Sequence, residues 1–95
     1  MKLNKPLFPL GQVVATPGAI EAAEKADISL DVLIRRHNGG DDGDLSDGDR
    51  EANRLALKDG SRIFSAYVLS KTGERIWVIT EADRSSTCCL RPDEY

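Results

Sequence analysis

The spacing of apolar residues changes period part-way along this chain, and the change divides it into a helical half and a strand half. Ala19, Ile20, Ala22, Ala23 and Ala26 alternate with Glu21, Glu24 and Lys25, which predicts an amphipathic helix over 17–26. Its small apolar face implies close approach to a neighbour. Thr16 suits the N-cap, and Pro17 suits the first helical position, where the amide has no partner to lose. Leu30, Leu33, Ile34 and His37 fall on one helical face and predict a second helix over 30–37. Ser29 can cap this helix, and Gly39 and Gly40 stop it. Ser46, with Asp49 three residues on, forms a capping-box-like pair that opens a third helix running to about Lys58. Leu55, with Ala56 or Ala52, is expected to face inward there.

Beyond Gly60 the period shortens to two. Residues 62–69, 75–81 and 86–90 are rich in β-branched and aromatic side chains and predict three strands. Ser70 to Gly73 supplies a turn with Gly73 in the left-handed region. Helices grouped before strands indicate an α+β fold: three helices, then a three-stranded antiparallel β-meander, with a single layer of helices on the sheet. Val13 to Ala15 could form a short extended piece. Residues 1–12, with Pro6, Pro9 and Gly11, read as an irregular N-terminal arm, and residues 13–95 as a single α+β domain. In the first strand Phe64, Ala66 and Val68 share one face, while Ile63, Tyr67 and Leu69 share the other. Both faces are apolar. Either both are covered, or one meets a partner.

Composition agrees with a folded domain: 40% hydrophobic and 31% charged residues exclude the low-hydropathy, high-charge signature of disorder. Phe64, Tyr67 and Trp77 place the expected core centre between residues 64 and 77. The net charge of −3 has the wrong sign for a general nucleic-acid binder. The acidity is local, since residues 41–51 hold six carboxylates against the one arginine Arg50. The Gly-rich stretch 38–45 reads as a mobile, solvated loop. Asp41, Asp42 and Asp44 have no apparent duty to the fold, so they are candidates to steer a basic partner surface.

Candidate chemistry is sparse. The loop fails the calcium-loop spacing: counted from Asp42, the sixth place is Asp47 rather than glycine, and the twelfth is Asn53 rather than glutamate. Cys88 and Cys89 are adjacent, so in a strand they point to opposite faces and suit neither a mutual disulfide nor a zinc site. No metal and no cofactor are expected. Ser85, Ser86, Cys88 and His37 belong to no nucleophile motif, so no catalytic residue is assigned. His37 is expected to pack on its helix face near the terminal carbonyls. Asp83 can close a turn, and Arg84 can pair with Glu81 or the acidic loop. Tyr67, Arg75, Trp77 and Arg84, with Arg62, form the alternative contact patch, because tryptophan and arginine anchor interfaces; Trp77 itself is expected first as plain core. No signal peptide or membrane-spanning run is visible, which sets a cytoplasmic expectation.

Three stretches carry a family resemblance: Thr16-Pro17-Gly18-Ala19; the Gly-Asp-x-Gly-Asp-Leu segment ending at Leu45; and Thr80-Glu81-Ala82-Asp83-Arg84-Ser85-Ser86-Thr87 with the final Pro-x-Glu-Tyr. Together they resemble small bacterial proteins of plasmids, integrated elements and phages, described as plasmid-related or hypothetical. The likeness covers roughly residues 10–95. Asp42 stands where the family pattern has tryptophan, which removes an aromatic contact from the loop. The resemblance implies a setting on mobile DNA and no activity. The expectation is a non-enzymatic small binding protein, an inhibitor or modulator of a host defence system through protein–protein contact. A nucleic-acid-associated regulator is the alternative, and a small metal-dependent enzyme is less favoured. The oligomeric state is left open.

Overall fold

The computed structural model describes residues 6–95. The elements follow one another as strand β1 (Gln12–Ala15), helices α1 (Pro17–Lys25), α2 (Leu30–Asn38) and α3 (Asp47–Asp59), then strands β2 (Ile63–Val68), β3 (Arg75–Thr80) and β4 (Ser86–Leu90) and a short 3₁₀ turn, Pro92–Glu94. All three helix starts are held by the expected side chains. Thr16 accepts from the Ala19 amide, Ser29 from the Asp31 amide and Ser46 from the Asp49 amide. Gly73 takes φ +77 in the β2–β3 turn.

The sheet corrects the expected three-stranded antiparallel meander. It has four strands in the order β1-β4-β3-β2 and is mixed. β2, β3 and β4 form the antiparallel meander, but β1 adds to β4 in parallel, Gln12 against Ser86 through Ala15 against Cys89. The physical reason is the free outer edge of β4, which offers backbone partners that only a distant segment can take. Gln12, placed in the irregular arm by its neighbours Pro9 and Gly11, is therefore the first residue of a strand.

Register then assigns the faces. Ile63, Ser65 and Tyr67 lie opposite Thr80, Val78 and Ile76, and Val78 and Thr80 lie opposite Cys89 and Thr87. This face meets the helices. Ala19, Ala22, Ala23 and Ala26 of α1 and Leu33 of α2 pack with Tyr67, Ile76, Val78 and Cys89, while Ala56 of α3 packs with Ile63 and Phe8. The alanine stripe lets α1 lie close to β4. α3 differs from expectation: Ala56 is buried, but Leu55 is 51% exposed. Asn53 and Ala56, three residues apart, hold the inward face, and Leu55 is turned away from it.

The opposite face carries Phe64, Ala66, Val68, Trp77, Ile79, Cys88 and Leu90 with Val14 of β1. Among the described residues no helix lies on it. The aromatic-centred expectation for the core is thus only partly right: Tyr67 is buried among the helices, whereas Phe64 and Trp77 sit on the uncovered side. No described helix is long and apolar enough to cross a membrane.

Candidate functional site

The helix-free face is built around an aromatic ladder. Phe64 meets Trp77 edge-to-face at 5.1 Å, and Trp77 meets Tyr95 at 5.7 Å. Arg62 lies over the Tyr95 ring at 5.6 Å and donates to its hydroxyl at 2.6 Å. Cross-strand pairing sets Ile79 beside Phe64, and Ala66 and Leu90 on either side of Trp77. The rings shield these smaller residues, which are buried although no helix covers them. Phe64, Trp77 and Cys88 remain partly exposed, and Val14, Val68 and Tyr95 are exposed. Arg75, opposite Val68, is exposed at one corner. The 3₁₀ turn that delivers Tyr95 is tied down by Glu94, which accepts from the Thr16 hydroxyl at 2.6 Å and the Arg91 amide at 2.8 Å. These bonds hold the Glu94 carboxyl below its usual range.

Tyr67 does not belong to this patch. The sequence groups it by residue type with Arg75 and Trp77 as a contact residue, but it is only 1% exposed and points to the helix side. Strand alternation is the reason: Tyr67 lies opposite Ile76, one residue out of phase with Arg75 and Trp77. Its hydroxyl donates to the Asp41 carbonyl at 2.5 Å, and Arg36 stacks on its ring at 4.6 Å. Arg84 is likewise engaged inside the fold, at φ +60. Its guanidinium reaches the carbonyls of Ser61 at 2.7 Å, Glu81 at 3.1 Å and Ala56 at 3.2 Å, so it ties the end of α3 to the β3–β4 turn. Neither the Glu81 carboxylate nor the acidic loop is its partner; backbone carbonyls satisfy it instead. Asp83 closes the turn as expected, accepting from the Ser85 amide.

The acidic loop has a duty to the fold that its composition hides. Residues 42–44 run along the free edge of β2: the Ala66 amide donates to the Asp42 carbonyl at 3.2 Å, and the Asp44 amide donates to the Ala66 carbonyl at 2.7 Å. Asp44 accepts from the Val68 amide at 2.9 Å through its carboxylate, and Asp41 pairs with Arg36 at 2.7 Å. That pairing holds the Asp41 carboxyl below its usual range. Asp42 accepts from Asn53, which also donates to the Phe64 carbonyl at 2.5 Å and accepts from the Phe64 amide at 3.0 Å. Gly43, at φ +75, passes so close to Ala66 and Tyr67 that any side chain there would collide with them.

Sequence reasoning missed the polar cluster at the heart of the covered face. His37 is 2% exposed, and its Nδ1 lies 2.6 Å from the Ser65 hydroxyl and its Nε2 2.8 Å from the Thr80 hydroxyl. Thr80 is 2.7 Å from Thr87, which donates to the Leu10 carbonyl at 2.8 Å. A carbonyl only accepts, so the sense of the whole chain follows. Thr87 gives its proton to Leu10, Thr80 gives to Thr87, and His37 gives from Nε2 to Thr80. Burial pushes the imidazole pKa down to about 4, so the ring is neutral and Nδ1 accepts from Ser65. The signal available in the sequence was that Ser65, Thr80 and Thr87 are polar positions inside apolar strands.

A cleft of about 250 Å³ opens beside this cluster, lined among others by Phe8, Asp42, Arg50, Asn53 and Ser65. Ser65 and His37 have nucleophile–base contact, but Ser65 is 1% exposed and no carboxylate backs the imidazole. An imidazole held near 4 is a weak base at neutral pH. Cys89 is fully buried on the helix side, with its thiol pushed up to about 12 by burial, while Cys88 faces the open side. Among the described residues no three His, Cys, Asp or Glu side chains gather as a metal site would require. No protein-family model, curated protein or solved structure matches the chain.

Proposed function

We propose that this is a non-enzymatic binding protein that docks a protein partner through the helix-free face of its sheet. The observation that carries the reading is an apolar sheet face with no α-helix over it, opposite a core that encloses a bonded polar cluster. The covered face holds His37, Ser65, Thr80 and Thr87, while the uncovered face presents Phe64, Trp77, Val68 and Val14 to solvent. An exposed apolar surface with an aromatic centre and arginines at its margin, Arg62 and Arg75, has the composition of a protein contact. The resemblance to mobile-element proteins supplies the setting: an inhibitor or modulator of a host defence system, acting in the cytoplasm. Ser65 and His37, the nucleophile–base pair the fold brings together, are both buried and serve the core network, which fits the non-enzymatic half of the reading. Asp41, Asp42 and Asp44 keep a secondary part as steering charges, since Asp41 and Asp44 are exposed even while bonded.

The test is site-specific photocrosslinking in lysate of the native host. A photoreactive phenylalanine analogue at Val68, on the open face, is expected to give a discrete protein adduct. The same group at Val32, exposed on α2, is expected to give none. Equal labelling from both sites, or none from Val68, overturns the reading. An adduct that nuclease removes transfers it to the nucleic-acid alternative, which Arg62 and Arg75 favour and the net charge of −3 opposes.

A further inference from the structure

The two edges of the sheet are treated differently. On β2 each outward amide is taken: Phe64 by Asn53, Ala66 by the Asp42 carbonyl and Val68 by the Asp44 carboxylate. On β1 the Gln12 and Thr16 amides donate to the Ser85 and Cys89 carbonyls of the β4 side. By alternation the amides and carbonyls of Val13 and Ala15 point away from the sheet. No described strand pairs with that edge. It also lacks the usual protections, because Gln12-Val13-Val14-Ala15 contains no charge and no proline, and Val13 and Val14 are 45% and 41% exposed.

We infer that the β1 edge is a dimer seam, closed by β1 of a second copy running antiparallel across a twofold axis. The register follows from which groups are free. Val13 must lie opposite the copy's Ala15, and Ala15 opposite its Val13, so that each pair exchanges two backbone hydrogen bonds. Val14 then meets its own copy at the axis, in the non-hydrogen-bonded position where side chains come closest. A second copy fits this edge because the segment is self-complementary: each outward donor finds an outward acceptor, valine meets valine, and no like charges are opposed. The joined sheets would carry the helix-free face unbroken from one protomer to the other, doubling the surface assigned to the partner. The seam involves none of the residues that test the partner surface, so the two ideas fail separately. Four backbone bonds and one valine pair make a small contact, so the dimer should be reversible and weak, populated toward 1 mM and dissociated near 1 μM on the usual scale for small interfaces.

Sedimentation of the full chain over about 1 μM to 1 mM tests it, together with amide exchange by NMR at both ends of that range. The expected result is a concentration-dependent dimer in which the Val13 and Ala15 amides gain at least about tenfold protection at high concentration, whereas those of Gln12 and Thr16 do not change. Val14→Lys puts two like charges at the axis and is expected to sediment as a monomer throughout, with an unaltered thermal midpoint. Val13→Pro, which deletes one outward amide and spares the bonds to β4, gives the same loss by a different route. A wild-type monomer at 1 mM overturns the inference. So does a dimer that survives Val14→Lys, or one whose formation leaves Val13 and Ala15 unprotected.

Discussion

The same three strands of the meander build two faces by opposite rules. The covered face mixes Ile63, Val78 and Cys89 with Ser65, Thr80, Thr87 and the imidazole of His37, every polar atom of which has a partner. The open face is aromatic and aliphatic, and most of its large side chains remain in water to some degree. Burying a polar group costs free energy unless it is bonded, and leaving apolar rings wet forfeits their transfer energy. The difference teaches that the covered face specifies this structure, whereas the open face is free for contact.

Replacing His37 should give the largest effect. His37→Ala removes a buried ring and strands the Ser65 and Thr80 hydroxyls, so a loss of about 4 kcal/mol in urea unfolding is expected, a large share of so small a domain's stability. A shift as small as that of an exposed residue would break the contrast between the faces. The next effect is pH. Between pH 6.5 and about 4 the unfolded chain takes up a proton that folded His37 refuses, so stability falls as pH falls through that window. The expected loss is about 3 kcal/mol at about 1.4 kcal/mol per pH unit. The group acts at full strength above pH 6.5, and its share is fully lost below about 4. Asp41, held low by Arg36, adds a loss beneath that, below the ordinary carboxylate range. Urea midpoints for wild type and His37→Leu from pH 7 to pH 4 check this; the variant should show the flatter slope above pH 4.

Asn53→Ala should follow at about 2 kcal/mol, because one side chain satisfies both backbone groups of Phe64 at the β2 edge. Trp77→Ala should cost less, about 1–2 kcal/mol, since part of the ring is already in water. The revealing measurement is the pair. If Trp77→Ala exceeds His37→Ala by thermal and urea unfolding alike, the open face is the real core. Val68→Thr should change stability by under about 0.5 kcal/mol while weakening partner capture, the smallest expected effect and the one that most directly separates contact from stability.

Much of this architecture could be read from the residues. Thr16, Ser29 and Ser46 announce the helix starts through local bonds that need no tertiary partner, and the two-residue period of 62–69 assigns side chains to faces before any neighbour is known. What escaped reading is non-local. The parallel β1–β4 pairing depends on an edge that exists only once the meander has formed. The acidic loop looks idle because its backbone and its carboxylates bond to distant partners on α2, α3 and β2, which composition cannot display. His37 reads as one more residue on a helix face; only the meeting of α2 with β2 and β3 sets two hydroxyls against it, with Thr87 of β4 behind Thr80. Chemical type groups Tyr67 with Trp77, and strand phase alone separates them.

The parallel pairing of β1 with β4 also sets a timetable. During synthesis the ribosome releases Gln12–Ala15 long before Ser86–Leu90, and the three helices, β2 and β3 all emerge between them. The first strand of the sheet must therefore wait for the last, exposed and uncharged, while the intervening chain folds. The Thr87 hydroxyl reaches back to Leu10, so the buried hydrogen-bond chain is whole only once β4 is in place.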